Sequence, residues 1–375
     1  MRIGVPRECK DGERRVGVTP EGARRLAGDG HAVVVEAGAG AAVGFSDAEY
    51  AMAGAAIASS SDAVWSCPLI VKVKELQPAE FRHLVAGTTV IGFAQLNRDP
   101  ALLAAVLAAR IQVIAYETVR DAAGGLPLLA PMSRIAGRLA PFVGAQALAT
   151  DRGGAGVLLP GVDDVPGATV VVIGAGNVGG EAARIAARMG ARVTVFSRGA
   201  ARRDALATAL AAEGRPVAVF GFADASDGRF ADSVAAADLV IGAVLEPGTM
   251  SPKLIPRALV AAMRPGSVIV DVGIDYGGIA ETSRMTKLSD PTYVECGVVH
   301  YAVPNMPALV ARTATLALTH ATLPAIRAMA GKGIARALAD DAGLDAGAMV
   351  RDGAIVHAGL AADAAARQVN HTRAA

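Results

Sequence analysis

The sequence predicts an α/β protein of two Rossmann-like domains, whose doubly wound parallel sheets flank a cleft and are joined by long helices. Three observations carry that prediction. Short apolar runs alternate with helical patterns in two successive blocks. One of those runs, Val170 to Ile173, ends in a glycine pattern, Gly174-Ala-Gly176-Asn177-Val178-Gly179. Long helical patterns at Met132–Ala149 and Ala308–Met329 bracket the second block, and the later one is apolar enough to return the chain to the first. The expected division is therefore a discontinuous domain, 1–127 plus 306–375, and a central domain, 128–305.

In the first block, strands are expected at Arg2–Val5, Ala32–Glu36, Leu69–Val73, Thr88–Gly92 and Gln112–Ala115. A helix over Pro20–Asp29 opens with Thr19 as N-cap and proline at the first helical position. The pattern Met132–Ala149 should kink or break at Pro141, because proline has no N–H to give and its ring crowds the preceding turn. In the second block, strands at Val170–Ile173, Arg192–Phe196, Val217–Phe220, Leu239–Gly242 and Ser267–Val272 supply the series that a doubly wound sheet needs. A short strand is expected near Gly353–His357.

Composition excludes several function classes. The chain has 375 residues with 36 Lys and Arg against 35 Asp and Glu, so it has no electrostatic footprint for nucleic acid. Cys9, Cys67 and Cys296 are scattered, odd in number and without metal-ligand spacing; they read as reduced thiols in a reducing compartment, with no metal site. The start is charged strand-like sequence rather than a signal peptide, and apolar stretches are interrupted before bilayer length. A cytoplasmic protein without a membrane partner is expected.

The glycine pattern carries the chemistry. Gly174 permits a tight turn, Gly176 lets the backbone approach a pyrophosphate, and Gly179 lets the following helix pack against the strand with its N-terminus facing negative charge. The helical run Glu181–Met189 and the strand Arg192–Phe196 complete a βαβ unit, which makes a dinucleotide the expected cofactor. A site for NAD places an acid at the end of that second strand to bind the ribose hydroxyls. This chain has Ser197-Arg198 there, then Arg202 and Arg203, with no acid before Asp204. A serine donor and guanidinium forks suit a 2′-phosphate, so NADP(H) is favoured; NAD(H) remains open if the arginines are an ordinary solvated face.

The sequence resembles the alanine dehydrogenase family, which shares its fold with the soluble first domain of nicotinamide nucleotide transhydrogenase. The resemblance spans essentially the whole chain. It rests on Met1-Arg-Ile-Gly-Val-Pro-Arg-Glu, Arg15-Val-Gly-Val-Thr-Pro20, Lys72-Val-Lys-Glu75, Ala115-Tyr-Glu-Thr-Val119, Leu126-Pro-Leu-Leu-Ala-Pro-Met-Ser133, Ala237-Asp-Leu-Val-Ile-Gly-Ala-Val-Leu245, Ile274-Asp275-Tyr-Gly-Gly278 and Asn305-Met-Pro307. It implies hydride transfer at the α-carbon of an amino acid, a substrate held between two domains and a homo-oligomer, specifically a hexamer. It further implies that Arg15 holds the substrate carboxylate and that Lys74 contacts the carboxylate or carbonyl oxygen. Asp275 would orient an ammonium or a water near the nicotinamide, Asn305 and Met306 would line the substrate site, and Ala243, Val244 and Leu245 would lie against the cofactor. Lys72, two residues before Lys74, shares its strand face, and a Lys-x-Lys pair at a strand end is often solvated. Asp275 has an alternative reading as a turn residue before Gly277-Gly278.

One departure stands out. Where the family carries an acid/base histidine, this chain has Gln95 in Gly92-Phe-Ala-Gln95-Leu-Asn97; an amide can position a carbonyl or amine but cannot relay a proton. Either Lys74, Asp275 and water handle the protons, or the substrate is a preformed imine or bulkier 2-oxo acid, or catalysis is lost. His300, in Gly297-Val-Val-His-Tyr-Ala302, could approach the nicotinamide side, but a lone buried histidine reads more readily as a satisfied core residue. The expected activity is that of an NADP(H)-preferring amino-acid or imine dehydrogenase. The alternatives are an ordinary NAD-dependent alanine dehydrogenase, a catalytically silent nucleotide-binding regulator and, least compatible with these motifs, a transhydrogenase subunit.

Overall fold

The computed structural model describes residues 1–374 apart from 216, 223–227 and 245–249, with side chains to residue 366. The chain forms two compact units, Met1–Met132 with Ala308–Ala375 and Ser133–Pro307. The boundaries set out from the sequence were 127/128 and 305/306.

In the first unit, β1 (Arg2–Val5), β2 (Ala32–Glu36), β3 (Ala56–Ala58), β4 (Leu69–Val71), β5 (Thr89–Gly92) and β6 (Gln112–Ala115) form a parallel sheet in the order β3-β2-β1-β4-β5-β6. Most of their residues are apolar, with Val and Ile the commonest, as befits strands covered on both faces, and Ile3, Val5, Leu69, Ile70, Val71 and Ile91 are fully buried. Ala348–Arg351 then adds antiparallel to β6, and Ala354–Ile355 pairs with it at the edge. The helix Pro20–Gly28 starts where expected, with the Thr19 hydroxyl accepting from the Gly22 N–H at 3.1 Å.

In the second unit, β7 (Thr169–Ile173), β8 (Arg192–Phe196), β9 (Ala218–Phe220), β10 (Leu239–Gly242), β11 (Val268–Asp271), β12 (Thr292–Glu295) and β13 (Val298–Tyr301) are ordered β9-β8-β7-β10-β11-β13-β12. All neighbours are parallel except β12, which forms a hairpin with β13 across Cys296-Gly297, both in the left-handed region. Successive residues of β7 go to opposite sides: Val170 and Val172 join one apolar cluster, Val171 and Ile173 the other. The sheet is therefore wound on both faces.

The helix expected at Met132–Ala149 runs over Ala130–Ala147 and is not broken at Pro141. Small residues explain its survival. Ala140 and Ala147 are buried in the core of the second unit, a Cβ on Gly144 would come within 2.6 Å of Leu239, and Gly137 lies flush against the backbone of Val178. Packing of that face outweighs the local cost of proline. Ala311–Lys332, preceded by the turn Met306–Val310, likewise contains Pro324 within a continuous helix. Among the described residues, no helix is long and apolar enough to cross a membrane.

Candidate functional site

Two sets of candidate residues arise, one at the carboxyl edge of each sheet, where open α/β sheets present their ligand crevices. In the second unit, β7 and β10 are neighbours, and the loops leaving them meet. Gly174 has φ +113, donates its N–H to the Phe196 carbonyl at 2.7 Å, and a Cβ there would lie 2.5 Å from the Ala243 oxygen. A Cβ on Gly179 would collide with the Gly174 carbonyl, so only glycine allows this approach of helix to strand. Gly176 caps the helix Asn177–Arg188 and has open space where a side chain would stand. Asn177 and Val178 follow as the first helical residues, so uncapped N–H groups and the helix dipole face that space. These features fit a dinucleotide pyrophosphate.

Ser197 is buried at the end of β8, with its N–H on the Phe220 carbonyl at 3.0 Å. Arg198 and Arg202 are exposed and Arg203 half-buried, the latter two in the first turn of the helix Ala200–Ala212. Ala243 and Val244 are half-buried beside Gly174, whereas Leu245 lies outside the described residues. Asp275 sits half-buried in the turn Val272–Tyr276 directly after β11, and Gly277 at φ +91 closes that turn. Asn305 is half-buried in the left-handed region at φ +60. Met306 is buried with Tyr301 and Val303 in the unit's apolar core. His300 is buried and satisfied: Nε2 meets the Thr282 hydroxyl at 2.8 Å, Nδ1 the Val298 carbonyl at 3.0 Å, and the ring stacks on Tyr293.

In the first unit, Arg15 follows β1, Lys74 follows β4 and Gln95 follows β5, so β1 and β4, neighbours at the switch in winding, bring the expected substrate residues to one edge. Arg15 is 1% exposed. Glu13 clamps it at two points, Nε to Oε1 at 2.8 Å and Nη2 to Oε2 at 2.6 Å, and Nη1 touches the Met132 sulfur at 3.1 Å. Lys74 is 5% exposed and ion-paired with Glu75 at 3.3 Å. Burial alone would raise the Glu75 carboxyl, but the ammoniums of Lys74 and of Lys10, also paired with it, hold it below the usual range.

The solvated alternative for Lys72 is overturned. Its side chain is fully buried, with Nζ 2.5 Å from Glu80 and 3.2 Å from Glu8, and these two carboxylates outweigh desolvation and raise its pKa. Glu8 Oε1 also accepts the Val73 N–H at 2.6 Å, so the strand end leading to Lys74 is tied from below. Burial pushes Glu8 itself upward against the opposing pull of Lys72.

Gln95 adopts φ +45. Its N–H donates to Glu117 at 2.8 Å, and the Ala94 N–H reaches both Glu117 oxygens at 3.0 and 3.2 Å, while Arg98 donates to the Gln95 side-chain oxygen at 3.3 Å. Burial raises the Glu117 carboxyl above the ordinary range, against these N–H donors and Lys74. Glu117 therefore holds the loop that carries Gln95. Glu8, Glu13, Glu80 and Glu117 carry no role that the sequence alone predicts. The only signal was that Glu8 and Glu117 lie inside the quoted motifs and Glu13 is two residues before Arg15. Among the described residues, no group of His, Cys, Asp or Glu could hold a metal ion.

Comparison with known proteins decides the family. The family model described as alanine dehydrogenase/PNT, N-terminal domain, matches residues 4–136, and that described as alanine dehydrogenase/PNT, C-terminal domain, matches residues 140–358. The chain belongs to the alanine dehydrogenase/PNT family. The alanine dehydrogenase of Halomonas elongata is 49% identical over 362 residues, 96% of each chain. That of Bacillus subtilis is 43% identical over 364 residues, 97% of this chain and 94% of the relative. A solved L-alanine dehydrogenase superposes with a TM-score of 0.92 at 42% identity, covering 97% of this chain and 99% of that one. A transhydrogenase from Sinorhizobium meliloti has the same fold at a TM-score of 0.80 and 25% identity, covering 96% and 99%. This alanine dehydrogenase/PNT member is thus an alanine dehydrogenase-like oxidoreductase, from a family that works with a nicotinamide cofactor.

Proposed function

We propose that the chain is an NADP(H)-preferring amino-acid dehydrogenase that interconverts a small 2-oxo acid, or its imine, with the corresponding amino acid, running chiefly toward the amine. The observation that carries the cofactor preference is the end of β8. No acid occurs from residue 197 to 203, and Ser197, three arginines and the N-terminus of the helix Ala200–Ala212 concentrate positive potential and donors there. That setting suits a 2′-phosphate and gives the ribose hydroxyls no carboxylate.

When bound, the cofactor supplies or accepts hydride at the substrate carbon. The Gly174–Gly179 loop would hold its pyrophosphate, with Ala243 and Val244 alongside. Arg15, already locked by Glu13, offers a preset fork to the substrate carboxylate, and a carboxylate oxygen is a far better partner for Nη1 than the Met132 sulfur. Lys74 places an ammonium at the carbonyl or imine and opposes negative charge forming there. The Gln95 amide positions without carrying a proton, so proton transfer falls to Lys74, Asp275 and water. We further propose a homo-oligomer, a hexamer by family resemblance, to be tested by light scattering coupled to size-exclusion chromatography.

The deciding experiment follows NADPH and NADH absorbance with pyruvate and ammonium, then with a panel of 2-oxo acids, amines and cyclic imines. NADPH is expected to give the higher kcat/KM, and Ser197→Asp with Arg198→Ala should shift the ratio about tenfold or more toward NADH, the worth of about one charge-assisted hydrogen bond or more. Preference for NADH in the unaltered protein would overturn the cofactor reading. It would favour a second one, NAD-dependent oxidation of alanine to pyruvate and ammonia; the relatives' name, alanine dehydrogenase, supports the substrate in that reading. Tight NADPH binding with no turnover on any substrate would instead mark a silent nucleotide-binding protein, the outcome that Gln95 permits.

A further inference from the structure

The turn after β11 is gripped by a second segment in an unusual way. Five consecutive carbonyls, from Tyr276 to Ala280, accept hydrogen bonds from residues 251–255. The Ser251 N–H donates to Tyr276 at 2.7 Å and the Leu254 N–H to Ile279 at 2.8 Å. The remaining three converge on one ammonium: Lys253 Nζ donates to Gly277 at 2.6 Å, Gly278 at 3.1 Å and Ala280 at 3.0 Å. Such convergence requires the left-handed conformations of Gly277 at φ +91 and Gly278 at φ +73, which turn their oxygens to a common side. Carbonyl dipoles aimed at one point repel each other, and a point charge with three donors relieves that repulsion where a planar guanidinium would not. The buried Asp271 carboxylate also takes the Ile279 N–H at 2.7 Å and the Ser283 hydroxyl at 2.6 Å. The backbone from 276 to 280 is thus held at its carbonyls by a cation and at its base by an anion, and Asp275 is the residue directly before it.

We propose that Lys253 is a positioning residue: by gathering the carbonyls of Gly277, Gly278 and Ala280 it sets the turn that aims Asp275. The proposal rests on the reading of Asp275 as a group that serves the reaction. Lys253→Met keeps the length of the side chain and removes the charge. Kcat is expected to fall by about 10- to 100-fold, the scale of a misplacement of about 1 Å, with the KM for NADPH changed less than about twofold. Hydrogen–deuterium exchange should quicken at Ile279 and Glu281 and remain unchanged in β7 and β8. In a double-mutant cycle, adding Lys253→Met to Asp275→Asn should cost much less than it does in the unaltered protein, because both act through one group. Wild-type kcat in Lys253→Met, unchanged exchange at those amides, or fully additive losses would each overturn the proposal and leave Asp275 standing. Full activity in Asp275→Asn would instead remove the reading beneath it.

Discussion

The two sheets wind alike, β3-β2-β1-β4-β5-β6 beside β9-β8-β7-β10-β11-β13, yet their carboxyl edges are made from opposite materials. At the edge of the first, buried charges do the ordering: Lys72 between Glu8 and Glu80, Arg15 in the grip of Glu13, Glu117 under the Gln95 loop. At the edge of the second, around Gly174, Gly176, Gly179 and Ala243, the work falls to backbone, helix N-terminus and missing side chains. On the reading proposed above, the difference follows ligand size and charge. A pyrophosphate is long enough to be met by a row of N–H groups, whereas a small carboxylate must be met by a few side chains, and those must be held rigid by others.

The comparison can be broken by removing one charge or adding one methyl group. Lys72→Met should have the largest effect. It strands two buried carboxylates and is expected to cost about 3–5 kcal/mol in chemical denaturation, whereas adding Glu8→Gln and Glu80→Gln should recover much of that loss. A cost below about 1 kcal/mol would mean that the buried cluster is not a structural keystone. Next, Gly179→Ala forces a Cβ against the Gly174 carbonyl. It should destabilise the fold by about 1–3 kcal/mol and abolish NADPH binding in a fluorescence titration, while a first-unit change such as Lys72→Met spares binding of the nucleotide. Retained NADPH affinity would show that the loop does not hold the pyrophosphate.

The smallest effect concerns pH. Because burial raises the Glu117 carboxyl in the folded protein, the folded state holds that proton more tightly than the unfolded chain does. Its contribution is therefore full below the ordinary glutamate range and is lost as pH rises through the raised value. Glu117→Gln should flatten that part of the stability-versus-pH curve; an unchanged curve would mean that the carboxyl ionises without consequence.

Most of the central strands were legible because a continuous run of β-branched residues bounded by turn signals has few other solutions, as in Val33-Val34-Val35 and Val170 to Ile173. The short β3 and the β12–β13 hairpin were not anticipated: three or four residues carry too little pattern. The helix continues through Pro141 for a reason the sequence does not show locally: the flat face of Gly137, Ala140 and Gly144 packs on partners remote in sequence. Arg15, Lys74 and the glycine loop were visible as motifs. The buried pairing of Lys72 with Glu8 beneath Lys74 was not, because it spans 64 positions and nothing local announces it.

The strand Ala348–Arg351 adds to β6 with Ala348 opposite Ile114, although the entire second unit lies between them in the chain. A ribosome therefore delivers the whole of Ser133–Pro307 before the first unit has its last strands. The second unit can condense while β6 still presents an open edge, and for that interval the nascent chain carries an unpaired strand able to join a neighbour. Contacts this distant in sequence carry a large loop-closure cost, so the first sheet is expected to close later than its local contacts form. The early-made half of the molecule thus waits for the late-made end.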